Sequence, residues 1–172
     1  MYTESDVSFC HDVRHIKMGQ RKLMSCWYSS YRMLYSWHLY QKDSDVKERI
    51  EDSSLDFDEL MKKGLHPTEF ETAKTALCLS GQHGSTIRKL SASDFQQFIR
   101  DTGPIWSATD YEGFNHIVLV AGYFKKTGDL IVHNPHNPYA AGDSEPDANL
   151  ERRPYSWYRE KLAHIPFAMQ YF

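Results

Sequence analysis

The segment Gln20-Arg21-Lys22-Leu23-Met24-Ser25-Cys26-Trp27 places a glutamine six residues ahead of a cysteine, and an amphipathic run from Trp27 to Tyr40 follows at once. Trp27, Tyr31, Leu34, Tyr35 and Trp37 recur near helical spacing, which predicts a helix over Cys26 to Tyr40 with the cysteine in its first turn. A helix N-terminus carries partial positive charge, and that charge favours thiolate over thiol. A glutamine one short loop upstream can aim an amide N–H at an oxygen gaining negative charge beside the sulfur. A nucleophile of this kind needs a base from elsewhere in the chain.

The stretch His116-Ile117-Val118-Leu119-Val120-Ala121-Gly122-Tyr123-Phe124 is rich in β-branched and aromatic residues, and Asn115 precedes it. Lys126-Thr127-Gly128-Asp129 is a turn signal, and Leu130 to Val132 resumes the apolar run, so a β-hairpin is predicted. Asn134 stands eighteen residues after His116, where the open end of that hairpin can bring the two together. An asparagine there can accept from the imidazole N–H and fix its tautomer. The chain thus offers a nucleophile, a base and an orienting group in the order Cys26, His116, Asn134. Gln20 and the backbone N–H of Cys26 are the candidate oxyanion donors.

Around these segments the pattern is helical first and extended second. Val13 to Met18 alternates weakly, as a short strand or arm would. Glu48 to Lys63 is charged and predicted helical to Gly64, with Asp56 to Lys63 solvated. Pro67 opens a further helix with Phe70, Ala73, Ala76 and Leu77 spaced for burial and Gly81 as its stop. Gln82 to Ser85 reads as a polar loop. Ser91 or Ser93 can cap a helix through Phe95, Phe98 and Ile99 that ends at Gly103. Pro104 to Thr109 reads as extended. Asn134 to Asn149, with Pro135, Pro138 and Pro146, reads as a loop. Tyr155 to Ala163 follows as a short helix and Ile165 to Phe172 as a final strand. Helices followed by an antiparallel sheet argue an α+β fold. A length of 172 residues fits one domain spanning 1–172.

Bulk properties narrow the function. The net charge is −3, which gives nucleic acid no basic surface to bind. Three cysteines, Cys10, Cys26 and Cys78, do not make a disulfide framework and suit a reducing compartment. No run approaches 18 apolar residues, so no membrane span is expected. The polar N-terminus carries no ordinary export signal, so the protein is expected in the cytoplasm of its producing cell, or exported by a route that needs no cleaved signal.

The residues singled out above resemble those of papain-like cysteine peptidases. Gln20 with Ser25-Cys26-Trp27 is similar to the Gln…Ser-Cys-Trp segment of that clan, and His116 through Gly122-Tyr123 to its His-x-Val-x-Val-x-Gly-Tyr strand. Asn134 falls where the clan places Asn or Asp. The resemblance covers roughly residues 13–40 and 103–138; the middle, 41–102, resembles nothing in particular. Leu23-Met24 stand where papains have Cys-Gly, and Pro135 follows Asn134 where papains have Ser-Trp. The Asn-Pro ending is closer to compact bacterial branches, such as bacteriocin-leader peptidases and injected effector peptidases, which usually carry Asp-Pro. The resemblance implies hydrolysis of a peptide bond in a protein or peptide substrate through Cys26, His116, Asn134 and Gln20, with no metal or organic cofactor. It extends to a bacterial effector or toxin without a pro-segment, restrained by delivery elsewhere or by an inhibitor (immunity) protein.

Other readings compete. The same Cys–His pair serves amidases of peptidoglycan stem peptides and acyl transfer to amines, and a degenerate scaffold would be a non-catalytic binding module. Residue by residue, Cys26 can be a buried structural thiol, His116 a polar strand start, Asn134 a turn former before Pro135, and Gln20 a surface loop residue. Cys10 and Cys78 read as inert. His133 and His136 frame Asn134, but a metal would need further ligands from His11, His15 or Cys10. His133 alternates away from Asn134 and reads as a surface residue.

Overall fold

The computed structural model describes residues 9–11, 24–39, 44–111, 114–136 and 148–172. Gln20, the arm at Val13 to Met18, and the greater part of the proline-bearing loop after Asn134 lie outside them.

Helix α1 spans Cys26–Leu39. Its first turn closes where the Ser29 N–H donates to the Ser25 carbonyl at 3.1 Å. From Ser25 to Tyr35 every residue except Cys26 and Tyr28 is buried. A helix covered on all sides belongs in the core, and its aromatic residues anchor it there. The Trp27 indole N–H donates to the Leu60 carbonyl at 3.3 Å. Tyr31 stacks on Trp106 with centroids 4.8 Å apart and donates its hydroxyl to Gln170 at 2.7 Å.

Helices α2 (Ser44–Glu51), α3 (Phe57–Lys63), α4 (Phe70–Ala76) and α5 (Ala92–Thr102) complete the N-terminal part. The single helix expected over Glu48 to Lys63 is two. Ser53 bonds back to the Ile50 carbonyl and accepts from Leu55 N–H, and Asp56 caps α3 by accepting from Glu59 N–H. Serine and aspartate offer the backbone partners that compete with helix continuation. The helix expected from Pro67 begins as a 3-10 turn, Pro67–Glu69. It stops at Leu77 rather than Gly81, because Cys78 adopts a left-handed φ of 55°. Gly81 lies instead in a strand, and the segment read as a polar loop holds the end of that strand and a 3-10 turn, Gly84–Lys89. Ser91, not Ser93, caps α5, and Gly103 ends it.

The sheet contains β1 (Phe9–Cys10), β2 (Ser80–Gln82), β3 (Ile105–Tyr111), β4 (Phe114–Tyr123), β5 (Leu130–Asn134), β6 (Asn149–Arg153) and β7 (Met169–Tyr171). All pairings are antiparallel, in the order β2-β7-β3-β4-β5-β6. Strand β1 pairs with β4 at Tyr123 and Gly122, beyond the point where β3 begins, with Ile105 paired to Val120. Strand β4 is buried without interruption from His116 to Phe124, as a central strand covered on both faces should be. Helix α6 (Tyr155–Lys161) precedes β7. It is shorter than expected because the Ala163 N–H donates to the Ala108 carbonyl of the sheet. The final strand is also short. Phe167 has a φ of 57° and turns the chain before Met169.

Candidate active site

The helical part meets the sheet where α1 begins and β4 begins. Ser30, one turn after Cys26, donates its hydroxyl to the Ile117 carbonyl at 3.4 Å. The Cys26 sulfur lies within hydrogen-bonding reach of the Ile117 backbone and of the Cys26 and Trp27 backbone. All three contacts favour the thiolate, so the groups involved are N–H donors. Ile117 follows His116 directly, so the start of the strand delivers the imidazole and the start of the helix delivers the sulfur to one seam.

On the other side of His116, its Nε2 lies 2.6 Å from the Asn134 side-chain oxygen. The hairpin achieves this with Leu119 paired to His133 and a bulge in β4 between Val120 and Gly122. Both side chains are buried. Thr109 of β3 donates its hydroxyl to the His116 carbonyl at 2.9 Å, and the Tyr111 ring stands edge-on to the imidazole at 5.5 Å. The backbone N–H of His136 donates to the same Asn134 oxygen at 2.9 Å.

The family model described as papain-like cysteine protease AvrRpt2 matches residues 7–144. The chain belongs to that family. It is a papain-like cysteine protease, a hydrolase acting on peptide bonds, with the α+β fold of that group. No curated protein matches the chain.

The site of this protease is electrostatically unlike a free thiol beside a free imidazole. Burial pushes the Cys26 thiol above its ordinary range, and the backbone N–H groups of Ile117, Trp27 and Cys26 pull against it without cancelling it. Burial also holds His116 below the ordinary histidine range. The bond to Asn134 opposes that, His136 adds to it, and the charge of Glu151 opposes it. Both shifts favour a neutral thiol beside a neutral imidazole. The helix start thus supplies donors that favour the thiolate, as expected, while desolvation pulls the other way.

Beyond Asn134 the protease carries a polar cluster that sequence reading missed. The Asn134 amide nitrogen donates to Glu151 of β6 at 2.9 Å. The Glu151 carboxylate accepts from the Tyr111 hydroxyl, which lies 2.8 and 2.7 Å from its two oxygens, from the Arg153 Nε at 2.8 Å and from the Asn149 amide at 3.2 Å. A second Arg153 nitrogen donates to the Tyr111 hydroxyl. The Arg153 guanidinium lies 5.0 Å from the centre of the Trp157 ring. Asn149, Glu151 and Arg153 are half-buried and alternate with exposed Leu150 and Arg152. That alternation is one of burial and not of hydropathy, so Asn149-Leu150-Glu151-Arg152-Arg153 carried no strand signal.

The remaining expectations divide. Cys10 and Cys78 are exposed, and no cysteine is in a disulfide. His133 is half-buried rather than a surface residue, and burial pushes its pKa down to about 4. Among the described residues no group of three or more His, Cys, Asp or Glu is arranged to hold a metal, and no helix is long and apolar enough to cross a membrane. Trp106 and Tyr111 are core residues. Trp27, next to the cysteine, is an internal anchor of α1.

Proposed function

We propose that Cys26 is the nucleophile, His116 the general base and acid, and Asn134 the group that orients the imidazole, in cleavage of a protein substrate. The observation that carries this reading is the 2.6 Å contact of His116 Nε2 with Asn134, with the Cys26 sulfur against the amide of the next residue, Ile117. With Nε2 protonated and bonded to Asn134, Nδ1 keeps the lone pair. His116 takes the Cys26 proton on Nδ1 as the sulfur attacks the carbonyl carbon. The oxyanion is held by the Cys26 N–H and, in this proposal, the Gln20 amide, at roughly 3–4 kcal/mol per donor. The imidazolium then protonates the leaving amine, and water, deprotonated by His116, releases the acyl group. The thiolate thus arises by transfer to the imidazole and is stabilised as an ion pair.

The family is of AvrRpt2 effector type, which supports a bacterial effector acting on a protein inside another cell. The test is N-terminal proteomics of recipient cells expressing the protein or its Cys26→Ala variant. New protein N-termini that depend on Cys26 are expected. Their absence, with muropeptides cleaved instead, would replace this reading with a stem-peptide amidase.

A further inference from the structure

We propose that Glu151 is a positioning residue of the reaction: it fixes the working tautomer of His116 by acting through the carboxamide of Asn134. Glu151 has this role only if Cys26 and His116 act as nucleophile and base, as proposed above. It lies beyond the residues 7–144 matched by the family model.

A carboxamide has two ends of nearly the same shape, and only its partners decide which end faces where. Two partners of Asn134 decide it independently. The Glu151 carboxylate can only accept, so the NH2 must face it. The His136 backbone N–H can only donate, so the oxygen must face it. That oxygen is the one at 2.6 Å from His116 Nε2. Nε2 must therefore carry the proton, and Nδ1 is left as the base. Were the amide reversed, Nε2 would become the acceptor and Nδ1 would hold the proton, useless toward a thiol.

Glu151 is built to stay charged in this place. Burial would raise its pKa, but hydrogen bonds from Asn134, Tyr111 and Arg153, with the Arg153 charge, hold it below the usual carboxylate range. Its negative charge also stands one amide away from the imidazolium that forms in the reaction. A carboxamide holds an imidazolium less strongly than a carboxylate would; here the carboxylate stands directly behind the carboxamide. The titratable and charged groups acting on the imidazole are His136 and Glu151, with the Tyr111 ring edge-on to it; Arg153 acts on Glu151, and Cys26 lies against the backbone of the next residue, Ile117.

The experiment reads iodoacetamide labelling of Cys26 against pH by mass spectrometry, with exposed Cys10 and Cys78 as internal references. Glu151→Gln should cut the Cys26 plateau rate about tenfold or more and move its acid limb to lower pH, because the imidazolium has lost its carboxylate. Asn134→Asp combined with Glu151→Gln should return the rate to within about threefold, since the charge now sits on residue 134 and an aspartate cannot be reversed. If Glu151→Gln does not fold, nitrogen NMR of His116 in the wild-type protein decides, with an Nε2–H tautomer expected and an Nδ1–H tautomer overturning the proposal. A wild-type rate and limb in folded Glu151→Gln, while His116→Ala slows labelling, would show Glu151 to be structural only. An unaltered rate in His116→Ala would overturn the reading of the site itself.

Discussion

Asn134 meets the candidate base His116 on one side and the Glu151 carboxylate on the other. Cys26→Ala should abolish proteolysis, by about 10,000-fold or more, and His116→Ala should do nearly the same. Asn134→Ala should cost less, roughly 10- to 100-fold, since the imidazole keeps the Tyr111 edge and the strand start that aim it. Steady-state kinetics on a cleaved protein would check the order; an inert Asn134→Ala would mean that another group orients His116. Because burial holds His116 below the ordinary histidine range, the acid limb of kcat/KM should fall below about pH 6.5. The meeting of His116 with Asn134 was legible in the sequence because each stands at the end of a predicted strand of one hairpin. The contact of Asn134 with Glu151 was not, because it comes from long-range pairing. Glu151 is the diagonal neighbour of Asn134 only once β6 lies beside β5 with Asn149 opposite Asn134.

Among the elements, β4 bears the greatest constraint, and Gly122 shows why its sequence ends as it does. A Cβ at Gly122 would lie 2.5 Å from the Phe9 carbonyl oxygen, so the glycine is the space into which β1 fits. Gly122→Ala should destabilise the protein by about 1–3 kcal/mol and speed exchange of the His11 amide, which donates to the Ala121 carbonyl. Urea unfolding and hydrogen exchange check this, and no change in either would contradict the fit of β1. Ser91→Ala removes the cap of α5 and should cost about 1 kcal/mol in the same assay. Helix α1, with its recurring aromatic residues, and α5, with its capping serine and terminal glycine, were legible nearly to their ends. The breaks were not. Asp52 to Asp56 looked like more charged helix, and the left-handed turn at Cys78 has no glycine to announce it. The short β1 and β2 carry too few residues for any period to show, and β7 was legible as a final strand but read too long.

For the molecule as a whole, the order of elements sufficed to read α+β, because helices and strands segregate along the chain. The order of strands in the sheet did not follow from the sequence, since β7 enters between β2 and β3 through contacts distant along the chain. Burial of neutral histidines gives the fold a pH dependence. His11, His116 and His133 are all held below the ordinary histidine range chiefly by burial, His133 to about 4. The unfolded chain therefore binds more protons below about pH 6.5, and stability should fall as pH drops from there toward about 4. Glu151, lowered by its hydrogen bonds, adds stability present above about pH 4.3 and lost as pH falls through its folded pKa. Urea midpoints that stay flat between pH 7 and 4 would contradict this. The most direct measurement is the rate at which a peptidase-type epoxide labels Cys26 at neutral pH, in the wild-type protein and in His116→Ala. Labelling of Cys26 well ahead of exposed Cys10 and Cys78, lost in His116→Ala, is the predicted result; labelling of Cys26 no faster than those two would contradict the account.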